Sequence, residues 1–464
     1  MHRFLTDKLL AWKVRSTRHP LVLRGARQVG KTYLARELGR IAFSHYIEVN
    51  FEESPALSSL FQTKNPDTIC ELLTTKYSTP VIDGETLLFL DEIQAAQPYV
   101  FESLRYFYEK RPGLHVIAAG SLLEFMLNRN DGQGQNRFPM PVGRIEYMYV
   151  PPLDYEEFLE ATGHSGLVNF LHAYSLGDEL PEALHLEFLL CLKRYLALGG
   201  MPAVINAYLS EDILQTEREQ QILISNYYHD FPKYGRHASP DLLQKVFVSV
   251  PSLLGHKLMY SQIDNTVKSR DLAKAFDCLQ QARIVAKVCH TPGNGIPIGF
   301  GSDENVFKPL FLDVGLACRL LSLNLADFDV DENALLENRG ELCEQFIGQH
   351  LLYSGHEFEE PRAYFWMRDA RNASAEVDYI IQMDNEVVPV EVKSGKTGSL
   401  KGLHFFLNEK HRNFAVRFNG DRPSLLKNSI VKDTLGRDCR FSLLSLPLYM
   451  VCQLKRLLRE WKRL

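Results

Sequence analysis

Gly25-Ala26-Arg27-Gln28-Val29-Gly30-Lys31-Thr32 is the stretch that decides how this chain folds. A bound phosphate needs many donors and room to approach them. Gly25 and Gly30 let the backbone curl with its N–H groups turned inward. The helix expected from Lys31 to about Ile41 points its positive end at the same place. Lys31 supplies a point charge for the terminal phosphates, and the Thr32 hydroxyl is a magnesium ligand. The whole loop, Gly25, Ala26, Arg27, Gln28, Val29, Gly30, Lys31 and Thr32, is therefore the expected binding element for ATP with Mg2+.

Outward from that loop, short apolar runs alternate with helical patterns. Leu21–Arg24, Tyr46–Asn50, Thr86–Asp91, His115–Ala119 and Ile145–Val150 read as strands, with a helix over Phe101–Lys110. Alternating βα units imply a parallel sheet covered by helices on both faces. Leu87-Leu88-Phe89-Leu90 drives one strand into the sheet, so that Asp91 and Glu92 emerge at its carboxyl end, where open parallel sheets bind ligands. Asp91 is placed to hold magnesium, and Glu92 is the expected base that orients the attacking water. Ser121, in Ala119-Gly120-Ser121, has two readings, a sensor of the γ-phosphate or a helix cap. Arg144 follows a polar, glycine-rich loop at Asn130–Asn136 and also has two readings, an arginine finger or a surface salt bridge.

The loop, together with Leu90-Asp91-Glu92-Ile93-Gln94, Gly120-Ser121 and Val142-Gly143-Arg144, resembles a bacterial and archaeal family of AAA-type ATPases. Leu198-Gly199-Gly200-Met201-Pro202, Leu312-Asp313-Val314-Gly315-Leu316 and the Glu391-Val392-Lys393 region are similar to that family too. The resemblance spans nearly the whole chain. It implies an AAA+ ATPase near the archaeal-ATPase branch, a linking winged-helix-like region and a restriction-endonuclease-like end.

That end also has a reading from its own residues. Ala375–Ile381 and Val387–Lys393 flank Asp384-Asn385. A two-residue turn there pairs residues whose numbers sum to 769, which sets Asp378 directly opposite Glu391. Glu391 and Lys393 share a face by strand alternation. Facing carboxylates repel unless a cation lies between them. The Asp…Glu-x-Lys arrangement resembles the PD-(D/E)xK nucleases. That resemblance implies Asp378 and Glu391 as metal ligands, Lys393 as the lysine that orients or activates water, and Glu344 on the preceding helix as a further acid. Val377 stands where the motif has proline.

The chain has 464 residues, 45% apolar and 23% charged, which excludes a disordered polymer and implies several domains. The expected division is an ATPase domain at 1–152, a helical region at 153–240, a winged-helix-like region at 241–335 and a nuclease-like α/β domain at 336–464. A net charge of −5 gives no global pull toward nucleic acid, so DNA contact would need a local patch. The eight cysteines form no Cys-x-x-Cys pair, and neither a signal peptide nor a membrane-length apolar run is present. The expected setting is the cytoplasm, with no membrane partner. Two functions stand. In one, ATP hydrolysis is coupled to a metal-dependent nuclease acting on nucleic acid in defence or genome maintenance. In the other, the chain is an ATP-dependent switch whose C-terminal fold binds DNA or protein without cutting. An arginine finger acting in trans would require a homo-oligomer.

Overall fold

The computed structural model describes residues 1–120, 141, 143–210, 213–234, 238–323, 340–368, 375–395 and 399–463. Ser121, Val142 and the loop Asn130–Asn136 lie outside the described residues, as does the expected boundary at 335/336. The chain forms two compact units. The first is Met1–Pro152 with Gln281–Arg283 and His356–Glu360, and the second is the remainder from Leu153.

The sheet of the first unit contains β1 (Leu21–Arg24), β2 (His45–Asn50), β3 (Thr86–Asp91), β4 (His115–Ala119) and β5 (Glu146–Tyr149), in the order β2-β3-β4-β1-β5. Every pairing is parallel. All residues of β3 and β4 are buried, as the continuous apolar runs require of central strands covered on both faces. The helix Lys31–Ala42 buries Leu34, Ala35 and Leu38, a helical spacing that seats one stripe on the sheet. Phe51, Phe61, Leu73, Leu88, Leu90, Leu104 and Phe107 belong to the core beside it.

The second unit opens with helices, among them Tyr155–Ala161, Glu182–Leu198 and Ile213–Asp230. Helices Pro240–Ser249, Tyr260–Ile263 and Ser269–Gln281 follow, leading into the antiparallel pair β6 (Val285–His290) and β7 (Asp303–Phe311). Beyond the helix Gly340–Leu352 come β8 (Ala363–Met367), β9 (Glu376–Met383), β10 (Glu386–Val392), the helix Lys401–Glu409, then β11 (Phe414–Asn419), β12 (Ser424–Lys432) and β13 (Asp438–Pro447). These strands make one mixed sheet ordered β12-β13-β11-β10-β9-β8-β6-β7. It crosses the expected division near 335, because β6 pairs in parallel with β8.

Asp313 explains two of the motifs by structure alone. It is fully buried, caps the helix Val314–Leu320 by accepting from Leu316 N at 3.0 Å, and accepts from Gly200 N at 2.7 Å. Leu198–Pro202 and Leu312–Leu316 are thus tied by one carboxylate.

All eight cysteines are free thiols, six of them buried. Burial pushes Cys70 up to about 11 and Cys343 up to about 12. No helix among the described residues is long and apolar enough to cross a membrane.

Candidate functional site

The loop between β1 and the helix Lys31–Ala42 is shaped by two left-handed residues, Gln28 at φ 67° and Gly30 at φ 98°. Gly30 adopts that region freely, and it caps the helix whose first N–H groups face the loop. The Lys31 ammonium is buried and donates to Gly25 O at 2.9 Å and Ala26 O at 2.7 Å. Burial lowers it to about 8, against the opposing pull of Glu92 and Asp91. Thr32 Oγ1 donates to Asp91 Oδ2 at 3.0 Å, which joins the expected magnesium ligands across two elements. Burial raises Asp91 to about 6, and the Thr32 hydrogen bond partly offsets this.

Glu92 directly follows β3 in the left-handed conformation at φ 47°, where a residue with a side chain is strained. Its N–H donates to Asp91 Oδ1 at 3.0 Å, and its carboxylate accepts from the Gln94 amide. Gln94 stands in the Leu90–Gln94 motif with no chemistry of its own in the sequence. The fold gives it a role, since it grips Glu92 while its Oε1, next to Gly120 at the end of β4, is buried without a hydrogen-bond partner among the described residues. Ser121 lies outside the described residues.

Arg144 is held elsewhere. Glu146 pairs with Leu21 at the amino end of β1, whereas the loop begins after Arg24 at its carboxyl end. Three residue rises, about 10 Å of strand at ~3.3 Å each, separate Leu21 from Arg24. Arg144 Nε donates to Glu109 Oε1 at 3.1 Å, so the surface salt bridge is present. The edge at Leu21 is the one opposite to where the phosphate loop leaves β1.

In the second unit, β9 and β10 pair 383 with 386, 382 with 387, 381 with 388, 380 with 389 and 379 with 390, the register expected from the turn. Asp384 adopts φ 52° at that turn. The ladder ends one pair short of Asp378 and Glu391, and there the Asp378 Oδ2 accepts from Val392 N at 2.8 Å. Lys393 Nζ donates to Glu391 Oε1 at 2.6 Å, while Glu391 Oε2 is buried without a hydrogen-bond partner among the described residues. Burial raises the Glu391 carboxyl, and the nearby charge of Asp378 raises it further. Glu344 stands on the helix Gly340–Leu352, which packs closely on β9 because Gly348 has no side chain. A Cβ there would meet the Tyr379 hydroxyl at 2.2 Å. That hydroxyl donates to Glu344 O at 2.9 Å.

The residue the motifs missed is Lys308 on β7. It donates to Glu344 Oε1 at 2.7 Å, ion-pairs with Glu376 and lies 3.6 Å from Asp378 Oδ1. Its signal was a lone charge inside the apolar run Val306–Leu312, which marks a buried, paired residue. Among the described residues, no group of three or more His, Cys, Asp or Glu side chains is arranged to hold a metal ion.

Three family models match in sequence. One described as an AAA domain covers residues 17–159, a domain of unknown function (DUF8612) covers 191–327, and a domain of unknown function (DUF4143) covers 339–431. No curated protein matches. Among solved structures, Caenorhabditis elegans PCH-2 is 11% identical, with 44% of this chain and 59% of that chain covered at a TM-score of 0.25. A Pyrococcus horikoshii signal transduction ATPase of the STAND type, with a tetratricopeptide repeat sensor, is 13% identical, with 76% and 45% covered at 0.25. A Thermotoga maritima RuvB variant is 15% identical, with 62% and 87% covered at 0.29. The chain spans 59% and 45% of the length of the first two. The AAA-domain match falls on the loop, the parallel sheet and the buried Lys31, Thr32 and Asp91, and the first unit is accordingly a P-loop ATPase.

Proposed function

We propose that this chain hydrolyses Mg2+-ATP in its first unit and couples the reaction to a metal-dependent, phosphodiester-cleaving site in its second, acting on nucleic acid in defence or genome maintenance. The observation that carries it is the contact of Thr32 with Asp91 beside the buried Lys31 and the strained Glu92. In this reading the loop N–H groups and Lys31 bind the phosphates, and Thr32 and Asp91 hold magnesium. The ion supplies charge stabilisation on the phosphates. Glu92, gripped by Gln94, takes the proton of the attacking water. Ser121 senses the terminal phosphate. Arg144, at the strand edge opposite its own loop, acts on a neighbouring copy, which requires a homo-oligomer.

At the second site, Asp378 and Glu391 fit a hard divalent ion. Magnesium keeps several waters and needs only one or two carboxylates, and the unpartnered Glu391 Oε2 is an oxygen left for it. The ion would polarise a phosphodiester and lower the pKa of a bound water. Glu344 adds a further acid, and Lys393 orients the nucleophile. The three helices before the β6–β7 hairpin support a winged-helix-like contact with DNA.

A second reading, an ATP-dependent switch that binds without cutting, is favoured by Lys308, a fixed cation already among the acids. The test incubates single- and double-stranded DNA and RNA with purified protein and Mg2+ or Mn2+, with and without ATP. Cleavage by the wild type, lost in Asp378→Asn, is expected. ATP hydrolysis should vanish in Lys31→Ala, and Glu92→Gln should bind ATP yet turn it over at least a hundredfold more slowly. Normal hydrolysis with no cleavage of any substrate would favour the switch, and near-normal turnover by Lys31→Ala would reject the ATP-site roles.

A further inference from the structure

Lys308 sits in the apolar run Val306-Phe307-Lys308-Pro309-Leu310-Phe311, and its side chain is only 2% exposed. A buried ammonium is tolerated only when it is paired, and each of its three N–H groups needs an acceptor. Glu344, Glu376 and Asp378 all lie within ion-pair reach. Asp378 links this group to its neighbours. Its Oδ1 faces Lys308, and its Oδ2 accepts from Val392 N, next to Glu391 in the chain. Glu391 is 5% exposed, bonded through Oε1 to Lys393, with Oε2 buried and without a partner among the described residues. A carboxylate oxygen desolvated without a donor is costly, and a cation would complete it.

With all four carboxylates ionised, as metal binding requires, four against two ammonium groups leave two formal negative charges in this group. We propose that Lys308 is a positioning residue, a built-in cation that holds Glu344, Glu376 and Asp378 and sets the charge of the group so that it accepts one divalent ion, at Asp378 and Glu391, rather than two. The assignment rests on the metal reading of this site. Lys308 fills the place between Glu344 and Asp378 that a second ion would need.

Manganese binding to the full-length protein, freed of metal and without nucleotide, tests the assignment. Ions are ascribed to this site by their loss in Asp378→Asn. The wild type should bind one. Lys308→Met should bind a second ion or bind the first at least tenfold more tightly, and its thermal midpoint in chelator should fall and be restored by Mn2+. Should Lys308→Met fail to fold, Glu376→Gln removes a part-exposed charge instead and should weaken manganese binding severalfold. Two ions on the wild type, or unchanged number and affinity in the variants, would overturn the role of Lys308 and leave the metal reading intact. No manganese on wild type and variants alike would overturn the metal reading itself.

Discussion

At the residue scale, Lys31 ties the loop to a pH dependence. Burial brings its ammonium to about 8 from an ordinary 10.5, so above that pH much of it is neutral before nucleotide arrives. Bound triphosphate favours the charged form and returns the proton. Binding therefore takes up a proton above about pH 8. ATP affinity should fall as pH rises through this window, by up to about tenfold per pH unit. Calorimetry at pH 8.5 in buffers of different ionisation enthalpy checks it, and a buffer-independent heat would contradict it. The loop and Asp91-Glu92 were legible because their chemistry is carried by neighbours in sequence. Lys308's grip on three acids was not, because a long side chain finds its partners only once distant strands are in place, and Gln94's grip on Glu92 depends on the left-handed turn at Glu92 that the residues alone do not announce.

At the element scale, Asp313 joins a helix start to the Gly199-Gly200 turn. Asp313→Ala leaves the N–H groups of Gly200 and Leu316 buried without acceptors, which costs about 2–4 kcal/mol. Urea unfolding should show that loss, with Asp313→Asn, which keeps one acceptor oxygen, falling between it and the wild type. The β9–β10 hairpin was readable because a two-residue turn fixes register and alternation fixes face. The joining of β6 to β8 was not, since a parallel pairing across more than seventy residues leaves no local periodic trace.

At the scale of the whole molecule, the place of Arg144 at the edge opposite its own loop bears on assembly. If the guanidinium completes a neighbour's site, hydrolysis per subunit should rise with protein concentration. Arg144→Ala and Lys31→Ala should each be nearly inactive, and their mixture should recover a measurable fraction of activity. Turnover strictly proportional to enzyme down to a dilution at which sedimentation shows only monomer would exclude action in trans.

The distribution of thiols has a practical consequence. Of the eight cysteines only Cys70 belongs to the first unit, where it is buried, and the other seven belong to the second. A thiol reacts as thiolate and only when exposed, so alkylation reports transient opening. Pulse labelling followed by peptide mass spectrometry would time the opening of the two units separately in one native sample, with Cys70 as the clock of the ATPase and Cys343 as that of the helix bearing Glu344. Added ATP with magnesium should slow the first clock, and any slowing of the second would be a direct record of communication between the units.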